Sequence, residues 1–305
     1  MAQQVRITFI YQSWMKFLMR QQERLEKSTR KEGSQKKKIG LRLHYGKRRI
    51  SHLTSKVGRL QIIDLSSTTA LDILKLGTPV DQFNAIIEAT NIDPVPLSAY
   101  ARDLSNALDK APLLIRALRE TLYHVGFRKD FDFIAHDDAS FMEITIRYFL
   151  DLMSSPNSLL NKIMLERTTA SYLIIYLVNQ LFIANTDVIE LGWLEREFYS
   201  TDRSKFDGIL FKVGNKSISP GLIEFSGGIN DKTSSRKNSK DIEKMYTSHY
   251  IYFESLLEFG GTMYRKIDAT MEIPNTPRKL KVFIKEIPMI LAWKEVVTNH
   301  AISLT

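Results

Sequence analysis

From about Ser66 to Asn185 apolar residues recur at intervals of three and four, the pattern of helices that bury one face. Helices are predicted over "SSTTALDILKLG", capped by its Ser/Thr cluster and ended by Gly77, and over "PVDQFNAIIEATN", with Pro79 in the tolerant first turn. "PLSAYARDLSNALDKA" and "PLLIRALRETLYHVGF" follow, each opened by a proline, then "DDASFMEITIRYFLDLMSS" and "SPNSLLNKIMLERTTASYLIIYLVNQLFIAN". Near residue 187 the period drops to two. "DVIELGWLEREFYS" places Ile189, Leu191 and Trp193 on one face, with Glu195 and Glu197 continuing it. "FDGILFKV" and "SPGLIEFSG" read as two further short strands. A long helix, "NSKDIEKMYTSHYIYFESLLEFG", comes next, capped by Asn238 or Ser239 and ended by Gly260. Strands over "GTMYRKIDATMEI" and "KLKVFIKEIPM" and a short helix, "ILAWKEVVTNHA", complete the chain. From Glu166 the order is α, β, β, β, α, β, β, α, a mixed α/β core behind a helical region.

Charge adds a third part. Lys16 to Arg59 holds 15 Lys/Arg against Glu23, Glu26 and Glu32, a balance of +12 in a chain whose total is +9. The rest is therefore slightly acidic, and residues 1–60 read as a basic, flexible arm suited to phosphate backbones. The expected organisation is an arm over 1–60, a helical region over 61–160 and an α/β domain over 161–305. The chain has no cysteine, which excludes disulfides, thiolate metal sites and a cysteine nucleophile and fits an intracellular, reducing setting. "MAQQVRITFIYQSWMKFLM" lacks the charged start and unbroken apolar run of a secretory signal. "SYLIIYLVNQLFIANTDVI" carries Asn179, Gln180, Asn185 and Asp187, too polar for a membrane span, and reads as a buried helix.

Two carboxylates interrupt the apolar strands: Asp207 opens the first and Glu224 sits within the second. With Gly214–Asn215 as a two-residue hairpin loop, Val213 faces Lys216 and Asp207 faces Leu222. Leu222, Glu224 and Ser226 then share Asp207's face, and Asp207 and Glu224 stand diagonally, roughly 5–8 Å apart. Oxygen ligands at that separation suit Mg²⁺ or Mn²⁺. A bulge at Pro220 would shift the register by one and spoil the pairing. The plainer alternative makes Asp207 a turn residue and leaves Glu224 in solvent or beside a lysine. Against it, a carboxylate inside an apolar strand is costly unless paired or metal-bound.

These residues carry a resemblance. The block from Glu166 to about Met289 resembles the PD-(D/E)XK, or restriction-endonuclease-like, nuclease superfamily. The run "LERTTASYLIIYLVNQLF … IELGWLEREF … KFDGILF … LIEFSGG … DIEKMY" is also similar to fungal proteins with such a domain. The family has an αβββαβ core, an Asp opening the second core strand and (Glu/Asp)-x-Lys in the third. Asp207 and Glu224 stand at the two acidic positions. The resemblance implies hydrolysis of phosphodiester bonds in nucleic acid, DNA first, with Mg²⁺ or Mn²⁺ held by Asp207, Glu224 and the main-chain carbonyl of Phe225. Glu166 matches a position where the family often adds an acidic ligand. Ser226 departs from the pattern, because it stands where the family has lysine. A hydroxyl cannot supply the ammonium charge that supports the attacking water and the developing negative charge. Family members can supply that lysine from the following helix, which points to Lys244 and then Lys240, four apart on one helix face.

Ser226 also supports a second reading, an inactive nuclease-fold module that binds nucleic acid or a protein. A third is a helical protein adaptor with a structural α/β unit. In the first two, Lys36, Lys37, Lys38, Lys47, Arg48 and Arg49 add salt-sensitive attraction to the nucleic-acid backbone. "KKK" and "GKRR" would suit a nuclear-import receptor, and the helical region would shape a groove or meet a protein partner. The six histidines show no ligand spacing, and "AHDDAS" around His136 reads as a loop feeding a helix. Phosphate-binding glycine loops and a GxSxG elbow are absent.

Overall fold

The computed structural model describes residues 6–11, 62–65, 68–126, 129–162, 164–197, 205–223, 225 and 263–303. Among them the chain is mixed α/β, with two three-stranded sheets. One is an antiparallel meander of β3 (Ile189–Glu197), β4 (Lys205–Lys212) and β5 (Gly221–Ile223), with β4 central. The other comprises β1 (Arg6–Tyr11), β2 (Ile62–Asp64) and β6 (Met263–Glu272). Here β6 is central, antiparallel to β1 and parallel to β2. Residues 6–11, which the charge pattern assigned to a flexible arm, are thus a paired strand. The segment 12–61 and the helix expected over 238–260 lie outside the described residues.

The helices follow the three-and-four pattern. They are α1 (Thr68–Gly77), α2 (Val80–Thr90), α3 (Ala99–Lys110), α4 (Ile115–Gly126) and α5 (Asp137–Ser154). Then come α6 (Glu166–Thr169), a π-helical turn over Ala170–Ile174, α7 (Ile175–Phe182) and α8 (Pro277–Ser303). Ser98 caps α3, its hydroxyl accepting the Ala101 N–H at 3.2 Å, and Ala101, Leu104 and Leu108 bury that helix's inner face. Leu65, Leu74 and Ile86 form a small separate cluster joining α1 and α2. The main core runs from α3–α5 through α7 and α8 to the inner face of the meander, where Ile189, Leu210 and Phe225 join it. Phe149 and Phe283 meet edge to face at 5.2 Å, and Phe182 and Trp293 at 5.7 Å. Such pairs add about 1 kcal/mol each beyond their burial. No helix among the described residues is long and apolar enough to cross a membrane. The apolar segment around α7 is instead packed into the core through Leu177, Val178, Leu181 and Phe182.

Two local expectations are corrected. "KLKVFIKEIPM" is the first part of α8, continuous with "ILAWKEVVTNHA". Its apolar residues alternate over a few positions, but Leu280, Phe283, Ile284, Ile287, Ile290 and Leu291 are buried at helical spacing. Pro288 lies inside that helix, and its carbonyl accepts the Val95 N–H at 3.2 Å. The β4–β5 connection is not a two-residue loop either. Lys212 bridges Asn215, the Lys212 N–H reaches the Ile218 carbonyl at 3.0 Å, and Gly214 holds φ +79°. The Asn215 side chain accepts from the Ser217 N–H and hydroxyl, an Asx turn that tightens the loop. The register slips accordingly: Leu222 faces Ile209, two residues from the expected partner Asp207. Because the slip is even, Asp207 and Leu222 keep a common face.

Burial near the end of α8 gives the fold a pH dependence. Desolvation pushes the His300 imidazole down to about 4 from its ordinary 6.5. Below pH 6.5 the unfolded chain takes up a proton that the folded chain refuses until about pH 4. The stability tied to neutral His300 is therefore full above pH 6.5 and lost as pH falls through this window. At 1.36 kcal/mol per pH unit the loss is about 3 kcal/mol. Urea unfolding at pH 7, 5.5 and 4 is expected to show this extra loss in the wild type and not in His300→Gln.

Candidate metal site on the central strand

Asp207 is the third residue of β4 and lies between two irregularities. On one side Trp193 pairs with Gly208 and Arg196 with Phe206, so two residues of β3 oppose Asp207 alone. This bulge puts Leu194 at φ +63°, a left-handed conformation that costs a non-glycine residue about 1–2 kcal/mol. On the other side β5 ends at Ile223, and the next described residue, Phe225, donates its backbone N–H to Asp207 Oδ2 at 2.8 Å. Asp207 is half-buried and Phe225 is buried. The carboxylate thus takes over as acceptor where the ladder stops. Its Oδ1 has no hydrogen-bond partner among the described residues.

Strand alternation sorts the surroundings. Asp207 shares its face with Ile209 and Leu222, and Ile209 is fully buried. The opposite face carries Trp193, Gly208 and Ile223. There the indole lies so close over Gly208 that an added Cβ would stand 2.6 and 2.8 Å from its ring carbons. The indole stacks on the Phe225 ring, with centroids 6.4 Å apart and planes at 13°. Its Nε1–H donates to Asn179 Oδ1 on α7 at 2.9 Å. The bulge ends the alternation that was expected to continue through Glu195 and Glu197. Glu197 pairs with Lys205 across the strands, exposed, with the charges 4.0 Å apart.

Of the residues proposed from sequence, Asp207 and Phe225 are brought together. Glu166 opens α6, half-buried, where a carboxylate favours the helix dipole. Among the described residues no group of three or more Asp, Glu or His side chains is close enough to share a metal. Glu224, Ser226, Lys240 and Lys244 lie outside the described residues, as do Lys36, Lys37, Lys38, Lys47, Arg48 and Arg49. No family model, curated protein or solved structure matches the chain.

Asp207 offers a half-buried carboxylate with one oxygen held by a backbone amide, the kind of oxygen donor that Mg²⁺ and Mn²⁺ take. The sequence supplies Glu224 two residues beyond Leu222 as a second carboxylate. Sequence reading missed Trp193 and Asn179 as parts of this region. The signal that bears on them is local: an Asp-Gly pair in an apolar strand, with the glycine needed by a facing tryptophan.

Proposed function

We propose that the chain is a metal-dependent, nuclease-like protein hydrolysing phosphodiester bonds in nucleic acid, DNA first; of the αβββαβ, restriction-endonuclease-like core that the resemblance implies, the described residues hold the β3–β4–β5 meander, while β6 pairs in the other sheet. The observation that carries the proposal is the placement of Asp207: a carboxylate on the central strand of a meander, opposite a bulge and fixed by the Phe225 amide. In this reading Asp207, Glu224 and the Phe225 carbonyl hold Mg²⁺ or Mn²⁺, with Glu166 a further acid. The bound ion would polarise the scissile phosphate and lower the pKa of the attacking water. Lys244, or Lys240 after it, supplies the ammonium that Ser226 cannot. The Phe225 amide orients the Asp207 carboxylate before any ligand arrives.

The test is calorimetric titration of Mn²⁺ and Mg²⁺ with plasmid nicking on the same samples of wild type and Glu224→Gln. Metal binding and nicking in the wild type, both lost in the variant, are expected. No binding at millimolar ion in the wild type would end the nuclease reading.

One observation favours a second reading, an inactive module of the same fold. Asp207 Oδ2 already has a backbone partner, which by itself accounts for an acid at the end of a strand ladder. Ser226 points the same way. In both readings the arm meets phosphates. Replacing Lys36, Lys37, Lys38, Lys47, Arg48 and Arg49 by serine is expected to flatten the slope of log K against log salt by up to about 5. A filter-binding series between 50 and 200 mM salt reads this directly, and an unchanged slope would remove the arm from the interface.

A further inference from the structure

We infer that Asn179 and Trp193 are positioning residues that act on Asp207 from the far face of the meander. The Asn179 amide oxygen fixes the indole at 2.9 Å, and the indole lies on Gly208 and stacks on Phe225. The Phe225 amide in turn holds Asp207 Oδ2 at 2.8 Å. Each link is a direct contact, and the chain runs from α7 through the sheet to the carboxylate.

Three features hold the indole in one orientation. Its Nε1–H, a donor that a half-buried tryptophan must satisfy, is paired with an exposed asparagine on α7. Gly208 is the residue type that admits the indole at this distance, and it directly follows Asp207. The bulge with left-handed Leu194 begins at the residue after Trp193, and bulges re-aim neighbouring side chains. Together they fix the indole plane, and through the near-parallel Phe225 ring they fix the backbone that donates to Asp207. Groups that orient a metal ligand through hydrogen bonds commonly change metal affinity or activity by about 10–100-fold when removed. The consequence for affinity rests on Asp207 being a metal ligand, as proposed above; the contacts themselves do not.

The experiment compares Asn179→Leu, which removes the acceptor from an exposed position, with Asn179→Asp, which keeps an oxygen there. Asp207→Asn is the reference. Two readouts are taken on the full chain. One is the Mn²⁺ dissociation constant, and the other is the amide proton shift of Phe225 in protein labelled with ¹⁵N-phenylalanine, assigned by its loss in Phe225→Leu. The expected result is a rise of about tenfold or more in the Mn²⁺ constant and a displaced Phe225 amide in Asn179→Leu, with both near wild type in Asn179→Asp. Wild-type values of both in Asn179→Leu, with Mn²⁺ binding lost in Asp207→Asn, would overturn the positioning role and leave the metal site standing. Mn²⁺ binding unchanged by Asp207→Asn would overturn the metal reading. In that event the Phe225 amide decides the positioning role alone: moved by Asn179→Leu it stands, unmoved it falls.

Discussion

Asp207→Asn is expected to remove most of the metal-dependent cleavage proposed above while the fold stays near wild-type stability. Asparagine has the shape of aspartate and retains a carbonyl oxygen that can accept the Phe225 N–H, now at 2.8 Å from Oδ2. What it loses is the negative charge that a divalent cation needs. Charge stabilisation by a catalytic metal is worth several kcal/mol, and each 1.36 kcal/mol is tenfold in rate, so cleavage should fall by at least about a hundredfold. Asp207→Ala makes the complementary case. It removes the acceptor and strands the amide of buried Phe225, at a cost of about 1–3 kcal/mol in stability. The two variants therefore separate two roles for one acid. A carboxylate that only ends the β5 ladder gives a silent Asp207→Asn and a destabilised Asp207→Ala. A metal ligand gives an inactive Asp207→Asn that melts like wild type. Plasmid nicking and urea unfolding on the same preparations are the measurements, and nicking unchanged in Asp207→Asn would sink the assignment.

The parts of this fold that were legible in the sequence are those where one period runs long enough to outvote local noise. Helices α3, α4 and α5 carry their apolar residues at threes and fours, and they lie where the pattern puts them. The strand β3 was legible up to Trp193, and no further, because a bulge breaks the period without leaving a mark in residue type. The "KLKVFIK" stretch misled because the brief alternation of Leu280 and Val282 with lysines fits a strand and a helix flank alike. The buried Ile287, Ile290 and Leu291 beyond it, spanning Pro288, decide for the helix. The loop after β4 shows a different limit. Gly214–Asn215 permits a two-residue turn, but the Asn215 side chain bonds to Ser217 and opens a longer one. The identity of Asp207 as the acid of interest came from its setting among apolar neighbours. Its partner, the Phe225 amide, is backbone, which no residue type announces. The Trp193–Asn179 contact joins a helix to a strand across 14 positions and is equally silent.

Asp137→Ala is expected to destabilise the fold by about 3–5 kcal/mol, while Lys294→Met stays within about 1 kcal/mol of wild type. The Lys294 side chain on α8 is only 8% exposed, and its ammonium is paired with the Asp137 carboxylate at the first residue of α5. Removing Asp137 leaves a buried cation at a helix N-terminus, where the dipole already disfavours positive charge. The neighbouring acid cannot stand in, because Asp138 is committed to the Ser98 N–H at 2.6 Å and the Ala139 N–H at 2.7 Å. Removing Lys294 is milder for two reasons. Methionine fills a similar volume among the buried residues of α8, and Asp137, about a third exposed, can turn to water and still favour the dipole. The double variant Asp137→Ala/Lys294→Met should recover most of what Asp137→Ala loses, since the stranded charge is the source of the cost. Urea unfolding of the four proteins closes the cycle. Equal losses in the two single variants would show that the pair acts by mutual attraction and not by relieving a buried ammonium.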